Sequence, residues 1–227
     1  MHVDLDTISP CLCLAMFPYM SKAKEHQLSV IILNPNQTSF ADDDTSTNQE
    51  TSEVNANDDP ISFYLSSDPL PRLPTKKIVN LSTNREHILY AYDHIIGKLC
   101  PAQNFYMVAH SAGGEGLMFL LRKRHQILLP KLAKIAFTDS VHSVSTFDTN
   151  EIKTFLRAKA IHFVASTEPM GSPIVQRYGF SQKPACEEVS AGHPKHEYTS
   201  GHCVQGVFNF FFPPAKEDDA NILTTSF

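Results

Sequence analysis

Residues 104–118 read Asn-Phe-Tyr-Met-Val-Ala-His-Ser-Ala-Gly-Gly-Glu-Gly-Leu-Met, and this stretch decides the fold. Its first part, Phe105–Ala109, is an apolar run of strand length. From Gly116 to His125 the apolar residues recur at helical spacing. Between the two runs, Ala109-His110-Ser111-Ala112-Gly113 matches the strand–turn–helix pattern G-x-S-x-G, with alanine at the first glycine. In such a turn the serine takes strained dihedrals and the backbone on either side comes into close approach, so positions two before and two after it must be small. The product is a hydroxyl, that of Ser111, lifted to the carboxyl edge of a sheet. The N–H of Ala112, at the start of the new helix, then faces an incoming oxyanion.

Outward from this turn, strands and helices alternate. Residues 17–27 read as a short helix with Lys22, Lys24 and Glu25 on its wet face. Leu28–Leu33 is an apolar, β-branched run stopped by Asn34-Pro35-Asn36 and reads as a buried strand. Thr83–Leu99 has helical spacing, with Ser82 or Thr83 as cap and Ile88, Tyr92, Ile95, Ile96 and Leu99 on one face. The helix 116–125 ends in Arg122, Lys123 and Arg124, which suit a helix C-terminus. Further strands are expected at 133–138, 160–165 and 186–190, and further helices at 150–158 and 204–212. Such alternation predicts an α/β fold, a mostly parallel sheet with helices on both faces.

The chain has 227 residues, 42% of them hydrophobic, and a formal net charge of −5. Between Thr38 and Pro60 lie seven acidic residues and no basic one, so the remainder of the chain carries +2. No broad basic surface points to nucleic acid. No stretch is long enough to span a membrane, and the N-terminal pattern is a poor leader peptide. Five cysteines, an odd number without a C-x-x-C pair, suit reduced thiols better than a disulfide framework.

A serine nucleophile needs a histidine base and a carboxylate to orient it, in the chain order serine, acid, histidine. Asp139 follows the strand at 133–138. Glu168 follows the strand at 160–165. His193 and His196 follow the last strand. All stand at carboxyl ends of strands, where open α/β sheets carry their sites. Each carboxylate reads equally well as a loop cap or a surface ion pair. His142 reads as a satisfied loop histidine. His193, His196, His202 and Cys203 are close in sequence, but their spacing fits no standard zinc pattern. No cofactor is expected.

Five motifs occur in an order that resembles the Arb-type (argonaute-binding) domain family: Leu33-Asn-Pro-Asn36, Val108-Ala-His-Ser-Ala-Gly-Gly114, Phe137-Thr-Asp-Ser-Val-His142, Ser166-Thr-Glu-Pro169, and Val189-Ser-Ala-Gly192 followed by His196-Glu-Tyr-Thr-Ser200. The resemblance covers residues 4–212 apart from the acidic insertion. It implies an α/β-hydrolase-like fold with Ser111 as nucleophile. It places the family histidine at His196 rather than His193, and puts Glu168 and Asp139 both on motif positions. Standing after the penultimate strand favours Glu168 as the acid. The domain is then expected over 1–37 and 77–213, interrupted by a largely disordered acidic and proline-rich insertion at 38–76 and followed by a loose tail at 214–227.

Family members carry a further strand and a His-Gly-Ser-Gly-like loop upstream of the segment matching Leu5–Met20. The expectation is therefore an N-terminally truncated domain without its second oxyanion donor, and a serine hydrolase activity weak or lost. Cys11–Phe17, between Pro10 and Pro18, is the spare apolar run expected to be drawn into the sheet; otherwise the strands at Leu28 and Phe105 close up and pair directly, leaving the run in a loop or helix, or the domain is unstable. By resemblance the partners are argonaute, chromatin or splicing proteins, in the nucleus and cytoplasm. The role implied is a protein-interaction module in RNA silencing, chromatin regulation or co-transcriptional splicing control. The alternative is a soluble esterase, thioesterase or peptidase.

Residues 38–60 bury too little apolar surface to offset the entropy of ordering them. Their deletion is expected to leave the midpoint of thermal unfolding unchanged, which differential scanning calorimetry measures directly.

Overall fold

A computed structural model describes residues 16–35, 39–41, 75–79, 81–174 and 184–214. The main sheet has four described strands: β3 (Phe105–His110), β4 (Leu132–Thr138), β5 (Ala160–Val164) and β6 (Glu187–Ser190), neighbours in that order. All three pairings are parallel. Two short strands, β1 (Ser39–Ala41) and β2 (Thr75–Lys77), pair antiparallel apart from that sheet. The helices are α1 (Phe17–Glu25), α2 (Asn84–Ala91), α3 (Gly113–Leu128), α4 (Asn150–Lys159), α5 (Thr199–His202) and α6 (Val204–Phe211). The α/β expectation therefore holds.

The sheet separates two apolar clusters, as the alternation of strand side chains demands. Ala109 of β3 and Ile135 and Phe137 of β4 face α2, α3 and α4, with Leu117, Leu121, Ile152 and Leu156 at the centre. Ala136 of β4, Ile161 and Phe163 of β5 and Val189 of β6 face α1 and α6, against Tyr19, Val207 and Phe208. Ile135, Ala136 and Phe137 are fully buried. Phe105 through Val108 of β3, at the end of the strand order, are each half-buried.

Leu28–Leu33 is not a strand. It pairs with no strand among the described residues, and Val30, Ile31 and Ile32 are 41–52% exposed. An apolar β-branched pattern supplies side chains for a buried strand, but a neighbour's ladder bonds fix it as one. Leu28 and Leu33 still pack, on opposite faces of the sheet. Of the run expected to fill the sheet, residues 11–15 lie outside the described residues, and Phe17 opens α1. Most of the insertion and the tail beyond 214 also lie outside them. The two ends of the insertion that are described are paired rather than disordered, Phe40 opposite Lys76. A ribbon of this length is marginal by itself and adds no ladder bond to the main sheet.

Helix α2 begins where expected, Thr83 accepting a hydrogen bond from Glu86 N–H at 3.1 Å. It continues through a π-helical turn at Tyr92–Ile96 and a last turn at Gly97–Leu99. A π turn adds a residue to the repeat and rotates the rest of the helix about its axis. Ile88 and Tyr92 are therefore buried and Ile96 packs on the core, while Ile95 and Leu99 of the expected apolar face are 49% and 74% exposed. The helix after the serine turn is longer than its sequence suggests and ends at Leu128. Arg122 and Arg124 thus sit within it, and each grips a carboxylate: Arg122 holds Asp148 at 2.7 and 3.0 Å, Arg124 holds Asp93 at 2.8 and 2.7 Å.

Gly116 of α3 lies against α2. A Cβ there would meet Ile88 Cδ1 at 2.1 Å and Asn84 Oδ1 at 2.4 Å, whereas one on Gly113 would meet nothing within 4 Å. Gly116→Ala is expected to destabilise the protein by about 1–3 kcal/mol through overpacking. Gly113→Ala is expected to be neutral or stabilising by about 0.4–1 kcal/mol, since a non-glycine residue restricts the unfolded chain. Urea unfolding of the two variants gives the comparison.

Candidate functional site

The serine turn forms at the carboxyl end of β3. Ser111 has φ of +51°, a region that an L side chain enters at a cost of about 1–3 kcal/mol. Its backbone is clamped. The N–H of Ser111 donates to Thr138 O at 3.3 Å, and its carbonyl accepts from Gly114 N–H at 3.2 Å and Val141 N–H at 2.9 Å. The hydroxyl of Ser140 donates to that same carbonyl at 3.2 Å. A Cβ on Gly114 would lie 1.8 Å from Ser140 Oγ, which explains the glycine. Ala112, already helical at φ −60° and ψ −16°, has an N–H with no acceptor among the described residues. Ser111 Oγ likewise makes no hydrogen bond among them.

Asp139 follows β4 and is the second strained residue of the site, with φ of +42°. Its N–H donates to Phe163 O at 2.7 Å. One carboxylate oxygen accepts from Ala165 N–H at 3.0 Å, and the other meets His196 Nδ1 at 2.6 Å. Burial pushes the carboxyl pKa up. The bonds from Ala165 and His196 outweigh it, and the net shift is below the ordinary aspartate value.

His196 opens the 3-10 turn His196–Tyr198, held by Thr199 Oγ1 donating to its carbonyl at 2.8 Å. With Nδ1 bound to Asp139, Nε2 is left for chemistry, the arrangement a general base requires. Its ring stacks on that of His110, centroids 4.6 Å apart.

Of the two carboxylates suggested by sequence, the structure joins His196 to Asp139 and not to Glu168. The Glu168 side chain is exposed, while its backbone carbonyl accepts from Ser190 Oγ at 2.7 Å. His193 sits apart from Asp139, its Nδ1 accepting from Lys195 N–H at 3.1 Å and its ring against Tyr198 and His202. His142 stacks on Phe137 at 3.8 Å, and burial lowers its pKa to about 4. Cys203 is packed beneath Tyr19, and burial pushes its thiol up to about 12. Among the described residues no three histidine, cysteine or acidic side chains converge as a metal site.

Three supporting groups escape a sequence reading. Ser140 bonds the serine turn. Thr138 Oγ1 lies 2.7 Å from Ser200 Oγ and ties β4 to the segment carrying His196. His162 is buried in β5, its Nε2 accepting from Ser140 N–H at 3.0 Å and its Nδ1 facing Glu188 at 3.1 Å. Only His162 leaves a mark in sequence, as a lone histidine within the apolar run Ala160–Val164. The partners of the other two come from distant parts of the chain.

The Arb2 domain family model matches residues 15–170. The cotranscriptional regulator ARB2A homolog of Gallus gallus is 29% identical over 226 residues, covering 90% of this chain and 53% of the relative. That of Dictyostelium discoideum is 32% identical over 205 residues, 89% of this chain and 52% of the relative. The mouse cotranscriptional regulator ARB2A is 27% identical over 215 residues, 86% and 50%. The chain thus spans about half the length of these curated relatives. No solved structure matches it.

Because Asp139 titrates below its ordinary value when folded, it contributes stability at neutral pH that disappears as pH falls through that lowered value. Asp139→Asn is expected to cost about 1–2 kcal/mol at pH 7. The gap between wild type and variant should begin to shrink below about pH 4, where the unfolded carboxyl takes up its proton, and close once pH has fallen below the lowered folded value. Urea melts across this range test both parts.

Proposed function

This chain belongs to the Arb2 domain family, and we propose that it is the hydrolase-like interaction domain of a cotranscriptional regulator, acting through argonaute, chromatin or splicing proteins. Family membership carries this reading, together with curated relatives that bear the name cotranscriptional regulator. The parallel sheet and the strained serine turn at its carboxyl edge support the hydrolase-like description. The reading places the chain in the nucleus and the cytoplasm. Its domain is the one laid out from sequence, residues 1–37 and 77–213.

A second reading, a serine hydrolase, is favoured by one observation. Asp139 and His196 are joined at 2.6 Å at the same sheet edge as the strained Ser111, and the N–H of Ala112 has no acceptor among the described residues. In this reading Ser111 is the nucleophile, His196 takes its proton, Asp139 orients the imidazole and Ala112 N–H receives the oxyanion. Removing one oxyanion donor typically costs about 10²–10³ in rate, which is the weight this reading gives to the Ala112 N–H.

The tagged chain is expected to recover argonaute, deacetylase or splicing components from nuclear extract, as read by quantitative mass spectrometry. Recovery of none of the three classes counts against the first reading. A fluorophosphonate probe is expected to label Ser111 slowly, and not at all in Ser111→Ala. Rapid labelling that is also lost in His196→Ala would place the hydrolase reading ahead of the interaction module.

A further inference from the structure

We propose that His110, the residue before the serine, is a positioning residue: its ring is the platform that holds the His196 imidazole in the plane joining Asp139 to Ser111. This inference rests on the serine-hydrolase reading of the site.

Strand parity puts His110 there. Along β3, Phe105, Met107 and Ala109 face one apolar cluster, while Tyr106 and Val108 face the other. Side chains alternate faces, so His110 shares a face with Tyr106 and Val108. That is the face against which Cys203 and α6 pack, and the turn carrying His196 leads directly into them. Position 110, the last of β3, therefore lies on the face from which the turn carrying His196 approaches.

The platform is itself fixed. His110 Nδ1 lies 2.7 Å from the Thr138 carbonyl, an acceptor only, so this nitrogen carries the proton and the ring cannot turn without losing the bond. His110 and Thr138 are also opposite each other in the β3–β4 register. The His196 ring lies over it at 4.6 Å with 27° between planes. His196 needs such a support because its own ring is 47% exposed and has, among the described residues, one bond, to Asp139, to orient it. One bond fixes the position of Nδ1 but leaves the ring free to swing about it. A flat neighbour removes that freedom. Burial and the neighbouring His196 lower the His110 pKa, with the Thr138 bond opposing. A neutral ring can face an imidazolium without repulsion, which suits a base that becomes charged when it takes the serine proton.

The test uses the full chain with two readouts. The first is the downfield proton resonance of His196 Nδ1–H in a protein labelled with ¹⁵N-histidine, assigned by its absence in His196→Asn. The second is the rate at which a fluorophosphonate labels Ser111. His110→Ala is expected to broaden or abolish the resonance through solvent exchange and to slow labelling at least about tenfold, as loss of orientation does. His110→Phe keeps the flat face without the Thr138 bond and is expected to retain the resonance and a rate within about threefold of wild type. If His110→Ala does not fold, His110→Leu replaces it, since leucine keeps the bulk without a flat ring. The proposal is overturned if the alanine or leucine variant keeps both signals. It is also overturned if the phenylalanine variant folds and loses them, because the Thr138 bond and not the stack would then be responsible. Should wild type fail to label at Ser111, the hydrolase reading falls, and the resonance alone decides whether His110 positions His196.

Discussion

The backbone of Ser111 is the point on which the site depends. A residue at positive φ between a strand and a helix is held only if its surroundings over-determine it. Here they do: the Ser111 amide is bound to Thr138, and its carbonyl takes donors from its own helix and from the chain after β4. A neutral hydrogen bond contributes about 0.5–1.5 kcal/mol net, so these four together match or exceed the strain of the one residue. The arrangement needs close approach, which Gly114 allows because any side chain there would occupy the place of Ser140 Oγ.

The same device repeats across the sheet edge. Asp139, also at positive φ, is held by Phe163 and Ala165 of the next strand and its exit. Ser166 N–H in turn donates to His193 O at 3.0 Å, and Ser190 Oγ to Glu168 O. Each loop leaving a strand is thus fastened to the loop beside it. The consequence is a rigid row in which three residues far apart in sequence, Ser111, Asp139 and His196, are carried on neighbouring supports. Rigidity of this kind is useful to a catalyst, and equally to a surface that must present one shape to a protein partner.

The strands from Phe105 onward were legible because each is a short apolar run next to a helical pattern, and the serine turn because its spacing is dictated by backbone approach. Ser111 and Ala112 could be singled out from sequence for that reason, whereas Asp139 and His196 stood only among the candidates at strand ends, with His196 preferred to His193 through the family resemblance. The choice between Asp139 and Glu168 was not legible. Both follow a strand, and what separates them is a positive φ and the reach of one histidine, which no local pattern encodes. Leu28–Leu33 shows the opposite difficulty. Its composition is that of a buried strand, yet pairing is a property of two segments, and composition describes one. The π turn at Tyr92–Ile96 misplaced Ile95 for a similar reason: a single added residue in the repeat shifts the whole stripe.

His162 sets an acid limit on this edge of the molecule. Its Nε2 is an acceptor for Ser140 N–H, so the ring must keep a lone pair there. Burial lowers its pKa, with Glu188 opposing, and the ring is neutral when folded. The unfolded chain binds a proton at this histidine more readily, so stability attached to it is present above the ordinary histidine pKa and drains away as pH falls through the lower folded value. A proton on Nε2 would set one donor against another. Ser140 would lose its partner, and with it the chain that clamps the Ser111 carbonyl would loosen. The site is therefore exposed to acid through a histidine that never contacts the serine.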